Sequence, residues 1–276
     1  MEPAPPVAPR WHPSGHCSRK SGLCAAPRVC LLLRKSGGRL SFNALCISDL
    51  QCPAEHRDAL EFVKHVDNVW FPHDLKLTRT VVNMGDEVDQ HTLGKWPSNP
   101  NGRSAGDEFK EARLRLSYWF DAFPKTFVCM SNHTYRAWKK AHEAGIPREF
   151  MKSVGEAYEA PPGWQWREKW ISNGFTFEHG ENVSGMTAAL NAAIQNQMST
   201  VIGHQHSHGG VLTRASETGV LFGLNTGCLI DVDQYNFDYG KNIRVKPSLG
   251  CGVIKNGIPY FIPMILNHEK RWVKYI

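Results

Sequence analysis

Three histidines alternate in the stretch GHQHSHG, at His204, His206 and His208. They follow the apolar residues 199–202, which indicate a strand that ends at Gly203. Side chains two residues apart on an extended chain point to the same side, so His204 and His206 can reach one place. Neutral imidazole is the commonest metal ligand in proteins. The spacing therefore predicts either a metal site or a polar turn that happens to contain histidines.

Other polar side chains stand where other apolar runs end. In open α/β sheets, sites form beyond the carboxyl ends of the strands, so these side chains are expected to converge on one rim. Besides His204 and His206, they are Asp49, Asp86, Asn132, His133 and His179.

Alternating strand and helix patterns position these residues, and β-hairpins follow them, which predicts an α/β sandwich. Asn256-Gly257 between two apolar runs is a strong hairpin signal. Residues 151–172, which hold three tryptophans, are predicted to be irregular. The helix predicted over 107–122 has Phe109, Leu114, Leu116 and Trp119 as its candidate packing residues.

The polar residues also form an ordered set of motifs. This set, which spans roughly residues 42–230, resembles the calcineurin-like metallophosphoesterase superfamily, with its D-x-H, G-D-x-x-D, G-N-H-D/E, lone His and G-H-x-H. The resemblance implies an α/β fold, a four-layer α/β/β/α sandwich of two mixed β-sheets. The resemblance is compatible with a phage or bacterial member of the superfamily. The motifs read D-L-Q (Asp49, Gln51), G-D-E-V-D (Asp86, Asp89), S-N-H (Asn132, His133), F-E-H-G (His179) and G-H-Q-H (His204, His206).

The resemblance further implies two divalent metal ions, about 3.5–4 Å apart, that hydrolyse a phosphomonoester or phosphodiester through a bridging hydroxide. Manganese is the first choice, with zinc or iron as alternatives, because the ligands are mixed nitrogen and oxygen donors without thiolate. Asp86 would bridge both ions. The first ion would also take Asp49, Gln51 and His206, and the second Asn132, His179 and His204.

Other polar residues are expected to act on the substrate, His133 and Asp89 by the resemblance and two arginines by their positions in the chain. His133 would contact the phosphate and act as general acid or charge stabiliser, oriented by Asp89. Arg136 and Arg103 are candidate phosphate-binding residues, and surface solvation is the alternative for Arg136. His208 is expected to bind neither metal.

Two positions depart from the motifs of the superfamily. Gln51 stands where most members have His, and an amide oxygen ligates more weakly than an imidazole. His56 is an alternative ligand at this point. Ser131 replaces the Gly of G-N-H, which is tolerable if the backbone angles permit a side chain.

Charge and composition limit the partners. Residues 1–40 hold seven Lys or Arg and one Glu, whereas the rest of the chain has 25 basic and 25 acidic residues. We therefore predict a basic, disordered extension over 1–40 and a metallophosphoesterase domain over 41–276. The neutral domain disfavours strong binding of DNA. A nucleotide or nucleic-acid substrate stays open, and the alternatives are a DNA exonuclease of the same superfamily and a decayed, non-catalytic binding module.

Cysteine use and hydropathy indicate the compartment. No apolar run approaches 18 residues, so no membrane span is expected. The eight cysteines form no C-x-x-C pair, and several stand within apolar runs. Both features favour a cytoplasmic protein with reduced, buried thiols.

Overall fold

The structure is a computed structural model that describes residues 42–72, 78–95, 99, 102–217, 219–234 and 244–275. The predicted extension, residues 1–40, lies outside the described residues, so the domain division stays a prediction. None of the helices in these ranges has the length and hydropathy that crossing a membrane requires.

The described residues form eleven strands and five α-helices. The strands are β1 Ala44–Ile47, β2 Thr80–Asn83, β3 Thr126–Cys129, β4 Trp164–Arg167, β5 Trp170–Ser172, β6 Phe175–Phe177, β7 Ser199–Ile202, β8 Gly209–Ser216, β9 Gly219–Thr226, β10 Gly250–Lys255 and β11 Ile258–Pro263. The helices are α1 Ala59–Trp70, α2 Ala105–Ala122, α3 Arg136–Glu143, α4 Val154–Ala157 and α5 Ala188–Asn196.

The strands make two mixed sheets. The first has the order β11-β10-β1-β2-β3-β4, in which β1 to β4 are parallel and β10 and β11 pair antiparallel. The second has the order β5-β6-β7-β9-β8, in which β6, β7 and β9 are parallel and the two edge strands are antiparallel. The central parallel strands are therefore aligned with their carboxyl ends at one edge of each sheet.

Strand alternation divides the core into layers. On β1, Leu45 and Ile47 pack in the cluster that contains α1 and α2 residues, whereas Ala44 and Cys46 pack in the cluster that contains β6 and β7 residues. Successive side chains of a strand point to opposite faces, so the first sheet is covered on one face by helices and on the other by the second sheet. Helix α5 covers the outer face of the second sheet, where its alanines pack against Ile202. The predicted four-layer α/β/β/α sandwich is confirmed.

The predicted hairpin and thiols are also confirmed. Asn256 and Gly257 have φ values of 52° and 75° and join β10 to β11, as a type I′ turn requires. The five cysteines in the described ranges are buried and unpaired: Cys46, Cys52, Cys129, Cys228 and Cys251.

Two sequence predictions were wrong. Residues 151–172 are not irregular, because they contain α4 and the edge strands β4 and β5. These elements are three or four residues long, too short for hydrophobic periodicity to be recognised. Leu114 does not pack in the core, since its exposed fraction is 56% while that of Leu116 is 1%. Leu114 and Leu116 are two residues apart on a helix, so their side chains point in nearly opposite directions.

This contrast gives a stability prediction. Leu116→Ala should lower the free energy of unfolding by about 2–5 kcal/mol, because it removes buried methyl groups and leaves a cavity. Leu114→Ala, on the same helix, should change it by less than about 0.5 kcal/mol. Urea denaturation of both variants measures the difference, and equal losses would contradict the packing of α2.

Candidate metal centre

The predicted site residues lie in the loops at the carboxyl ends of five parallel strands. Asp49 follows β1, Asp86 follows β2 and Asn132 follows β3, all in the first sheet. His179 follows β6, and His204 and His206 follow β7, both in the second sheet. The two sheets thus contribute acids and histidines to the same rim.

Asp49, Asp86 and His206 form one group that could hold a metal ion. One ligand atom of each lies within 4.8 Å of the others. His206 Nε2 is 2.9 Å from Asp49 Oδ1. Gln51 joins this group, since its Nε2 lies 3.3 Å from His206 Nε2 and 3.5 Å from Asp86 Oδ2.

Asp86 also belongs to a second group, with His179 and His204, of the same dimensions. His179 Nε2 lies 3.5 Å from Asp86 Oδ2, 3.0 Å from His204 Nδ1 and 2.8 Å from Asn132 Oδ1. The structure therefore brings together all seven predicted ligands, with one carboxylate shared by two groups.

The rim loops have an unusual backbone. Asp49, Gln51, Asp86 and His204 have φ values of 52°, 50°, 52° and 63°. The left-handed region is unfavourable for residues with a Cβ, and such residues cluster at functional sites. Sequence reasoning did not foresee this conformation at four of the seven predicted ligands.

Close approach between the loops explains one glycine of the motifs. A Cβ on Gly203 would overlap the hydroxyl of Ser48 and lie 2.5 Å from Asp49 Oδ2. The absent side chain lets the histidine loop close onto the β1 loop, where the His204 backbone N–H donates to Asp49 Oδ2 at 2.9 Å. Ser48 also donates to this oxygen. Oδ2 is thus held in place, and Oδ1 faces His206. Ser48 was missed because a serine beside a carboxylate carries no distinctive spacing.

The two carboxylates are buried and charged. Burial alone would raise the pKa of Asp86, but the neighbouring His133 and His179 hold that pKa well below its usual range. Burial acts in the same way on Asp49, where the charge and hydrogen bond of His206 lower the pKa. Buried anions surrounded by imidazoles, without thiolate, are a donor set that suits a divalent transition-metal ion.

Gln51 adds an independent indication that the residues fit a cation. Its side-chain oxygen Oε1 is fully buried and has no hydrogen-bond partner in the structure, although an unsatisfied buried acceptor costs about 1–3 kcal/mol. An amide oxygen can ligate hard divalent cations. In this orientation the amide nitrogen is the atom that faces His206 and Asp86. Oε1 would reach an ion held by these residues after a 180° rotation of the amide group. His56 does not take this place, because its Nε2 is 3.1 Å from the Lys270 carbonyl oxygen.

His179 has a hydrogen-bond acceptor close to each of its two ring nitrogens. Its Nδ1 is 2.8 Å from the Met84 carbonyl oxygen and its Nε2 is 2.8 Å from Asn132 Oδ1, so both ring nitrogens face acceptors. Burial would lower the pKa of His179, but Asp86 raises it to about 9. Burial and the neighbouring His179 lower the pKa of His204. The proton on His179 Nε2 stands where a metal ion would bind.

His133 stands beside the two groups. Its Nε2 is 3.6 Å from Asp86 Oδ2 and accepts a hydrogen bond from Arg136 at 2.7 Å. Its Nδ1 is 3.1 Å from Asp89 Oδ1, an ion-pair distance at an angle outside hydrogen-bond range. Arg136 also donates to the Asp89 carbonyl oxygen at 2.7 Å. The predicted acid, its orienting carboxylate and one predicted phosphate-binding residue are therefore in contact.

The other two sequence candidates have partners of their own. Arg103 forms an ion pair with Glu111 of α2, with one hydrogen bond at 2.9 Å, so a phosphate contact would have to compete with this pair. His208 Nδ1 lies 2.8 Å from the Ser207 hydroxyl, and His208 belongs to neither metal-binding group.

No protein-family model matches the chain, and no curated protein sequence matches it. Two solved structures are similar over most of its length. Vacuolar protein sorting 29 from Cryptosporidium parvum aligns with 10% identity and a TM-score of 0.38, over 81% of this chain and 96% of that one. Vps29 from Chaetomium thermophilum aligns with 12% identity and a TM-score of 0.36, over 84% and 91%. At these values the fold assignment rests on the strand order and layers alone.

Gln51 can be tested by two substitutions. Gln51→Ala should weaken the ion held by Asp49 and His206 more than the other ion, because it removes the buried amide oxygen. Gln51→His should preserve or tighten binding, because imidazole is a stronger ligand. Calorimetric titration with Mn²⁺ separates the two sites, with His208→Ala as the control. If both sites titrate normally in the alanine variant, Gln51 is not a ligand.

The pKa of His179 gives a pH prediction. Below about pH 9 the metal-free ring carries a proton that an ion bound at Nε2 must displace. The apparent affinity of that ion should therefore rise as pH rises from 6.5 to 8.5, by up to about tenfold per pH unit for one proton released. Titrations in buffers of different ionisation enthalpy count the protons. An affinity that does not change over this range would contradict the assignment.

Proposed function

We propose that the chain is a binuclear metal-dependent phosphoesterase of the calcineurin-like superfamily, which hydrolyses phosphomonoesters or phosphodiesters. One observation carries the proposal: the Asp86 carboxylate is shared by two groups of potential ligands, and His133, which belongs to neither group, stands 3.6 Å from it. A binding site for a single structural ion would need neither the second group nor His133.

The residues divide the work between two ions and the substrate. Asp49, Gln51, Asp86 and His206 would hold one ion, and Asn132, His179 and His204 would join Asp86 at the other. Manganese, zinc and iron all suit these donors, and manganese is our first choice. When bound, such ions supply Lewis acidity that lowers the pKa of water and offsets negative charge on a phosphate.

His133 would act on the leaving oxygen of the ester. Its ring lies next to Asp86, so a phosphate bound to the ions that Asp86 would hold would be within its reach. Asp89 stands on the far side of the ring, 3.1 Å from Nδ1, where it would orient the imidazole. Arg136, whose guanidinium touches both residues, would pair with a phosphate oxygen.

A hydrolysis screen with Mn²⁺ tests the proposal. The substrates are an aryl phosphomonoester, a bis-aryl phosphodiester, a nucleotide panel and short DNA, and Asp86→Ala is the metal-binding control. His133→Ala should lower kcat by roughly 10²–10⁴-fold for substrates with poor leaving groups, and by less for good ones, because good leaving groups need little protonation. Its metal content should stay at the wild-type value.

Three outcomes would count against this assignment. Loss of metal in step with activity in His133→Ala would place His133 among the ligands. A chain that binds two ions and cleaves no substrate would favour the non-catalytic binding module. Cleavage confined to DNA would favour the exonuclease.

A further inference from the structure

Ser131 occupies the position at which the resembled superfamily has glycine, and the structure gives its hydroxyl a specific set of contacts. The side chain is completely buried. Its Oγ accepts a hydrogen bond from the Asp86 backbone N–H at 3.0 Å and one from the Thr134 N–H at 3.3 Å. It also lies 2.7 Å from Thr134 Oγ1.

These contacts fix the direction of each hydrogen bond. A serine oxygen has two acceptor sites and one proton. The two backbone N–H groups fill the acceptor sites, so the Ser131 proton is donated to Thr134 Oγ1. The Thr134 proton is then directed towards Glu87, whose carboxylate oxygens are both 3.5 Å away. Trp166 Nε1 donates to the same carboxylate at 3.0 Å.

The Ser131 contact joins two loops that carry different ligands. Asp86 lies in the loop after β2, and Asn132 and His133 lie in the loop after β3. Asp86 has left-handed φ, and its N–H points away from any strand partner to the Ser131 hydroxyl. The two loops also fit sterically, because a Cβ on Gly85 would lie 2.7 Å from the Ser131 Cβ. Serine at 131 and glycine at 85 are therefore complementary.

We infer that Ser131 is a positioning residue of the metal centre: its hydroxyl holds the backbone of Asp86 so that the shared carboxylate is in place before an ion binds. The inference rests on the proposed function. From the motif alone, serine in place of glycine is merely tolerable. The inference gives this serine a role. A glycine at this position would leave the buried Asp86 N–H without its protein acceptor.

The test compares Ser131→Ala with Ser131→Gly and a matched control. The control is Ser199→Ala, because Ser199 is also buried and its hydroxyl accepts one backbone N–H, from Phe222 at 3.1 Å, at the end of β7 away from the rim. Both alanine variants should lower the melting temperature, Ser131→Ala by more, because its hydroxyl makes three contacts and that of Ser199 makes one. Only the Ser131 variants should weaken Mn²⁺ binding, by about tenfold, the effect of one lost hydrogen bond to a buried group.

Two further readouts separate positioning from general destabilisation. In the metal-free protein, hydrogen exchange at the Asp86 amide should be faster in Ser131→Ala than in wild type and unchanged in Ser199→Ala. At saturating Mn²⁺, kcat of Ser131→Ala should return to within about twofold of wild type, since the hydroxyl touches no reacting atom.

The results distinguish this inference from the proposed function. Wild-type Mn²⁺ affinity and Asp86 amide protection in both Ser131 variants would overturn the role of Ser131 while leaving the phosphoesterase intact. A wild-type chain that binds no Mn²⁺ would overturn the proposed function. The exchange rate of the Asp86 amide in metal-free protein would then still decide whether Ser131 holds the loop.

Discussion

The buried charge of Asp86 is the constraint on which the rest of the rim depends. Its side chain is 1% exposed, and an ionised carboxylate at such a position is strongly destabilising unless positive charge stands beside it. The ion-pair partners that the structure gives it are His133 and His179, at 3.6 and 3.5 Å. Both are imidazoles, whose charge depends on a proton. The charge of Asp86 can therefore be offset by a proton on His179 or by an ion that Asp86 and His179 would hold together.

This constraint explains why the backbone of the rim is strained. A carboxylate can be shared between two groups only if several loops approach one point, and the carboxyl ends of parallel strands provide that approach. The loops come into contact because Asp49, Asp86 and His204 have left-handed φ values. Contact also requires that Gly203 has no side chain. Each such residue costs of order 1–3 kcal/mol, which the large core between the sheets must offset. Local strain and site geometry thus have the same origin.

Local patterns predicted the strands that carry the site and the polar residues that converge beyond them. The four layers were an implication of the resemblance to the superfamily. Apolar runs mark buried parallel strands, and a polar residue directly after such a run must lie at the rim. The sequence did not predict the contact of Ser131 with Asp86, because that contact joins loops after different strands. It also missed the contact of Ser48 with the adjacent Asp49, because a serine beside a carboxylate carries no distinctive spacing. Nor could it resolve β4 and β5, whose three or four residues show no period. The exposure of Leu114 was missed because α2 also carries apolar residues on its exposed face, where Tyr118 stands one turn away.

The contact between Arg136 and His133 bears on how the site would be used. An arginine donates only, so His133 Nε2 must act as an acceptor while the 2.7 Å contact lasts. That nitrogen cannot at the same time carry the proton that an ester oxygen would need. A phosphate dianion attracts a guanidinium more strongly than a neutral imidazole does, through bidentate charge-assisted hydrogen bonds. On the proposed function, arrival of the substrate phosphate therefore removes Arg136 from the ring. His133 Nε2 is then free to face the ester, while Asp89 lies 3.1 Å from Nδ1 on the other side of the ring. The roles assigned to Arg136 and His133 thus exclude each other in the free protein and become compatible only with a phosphate bound.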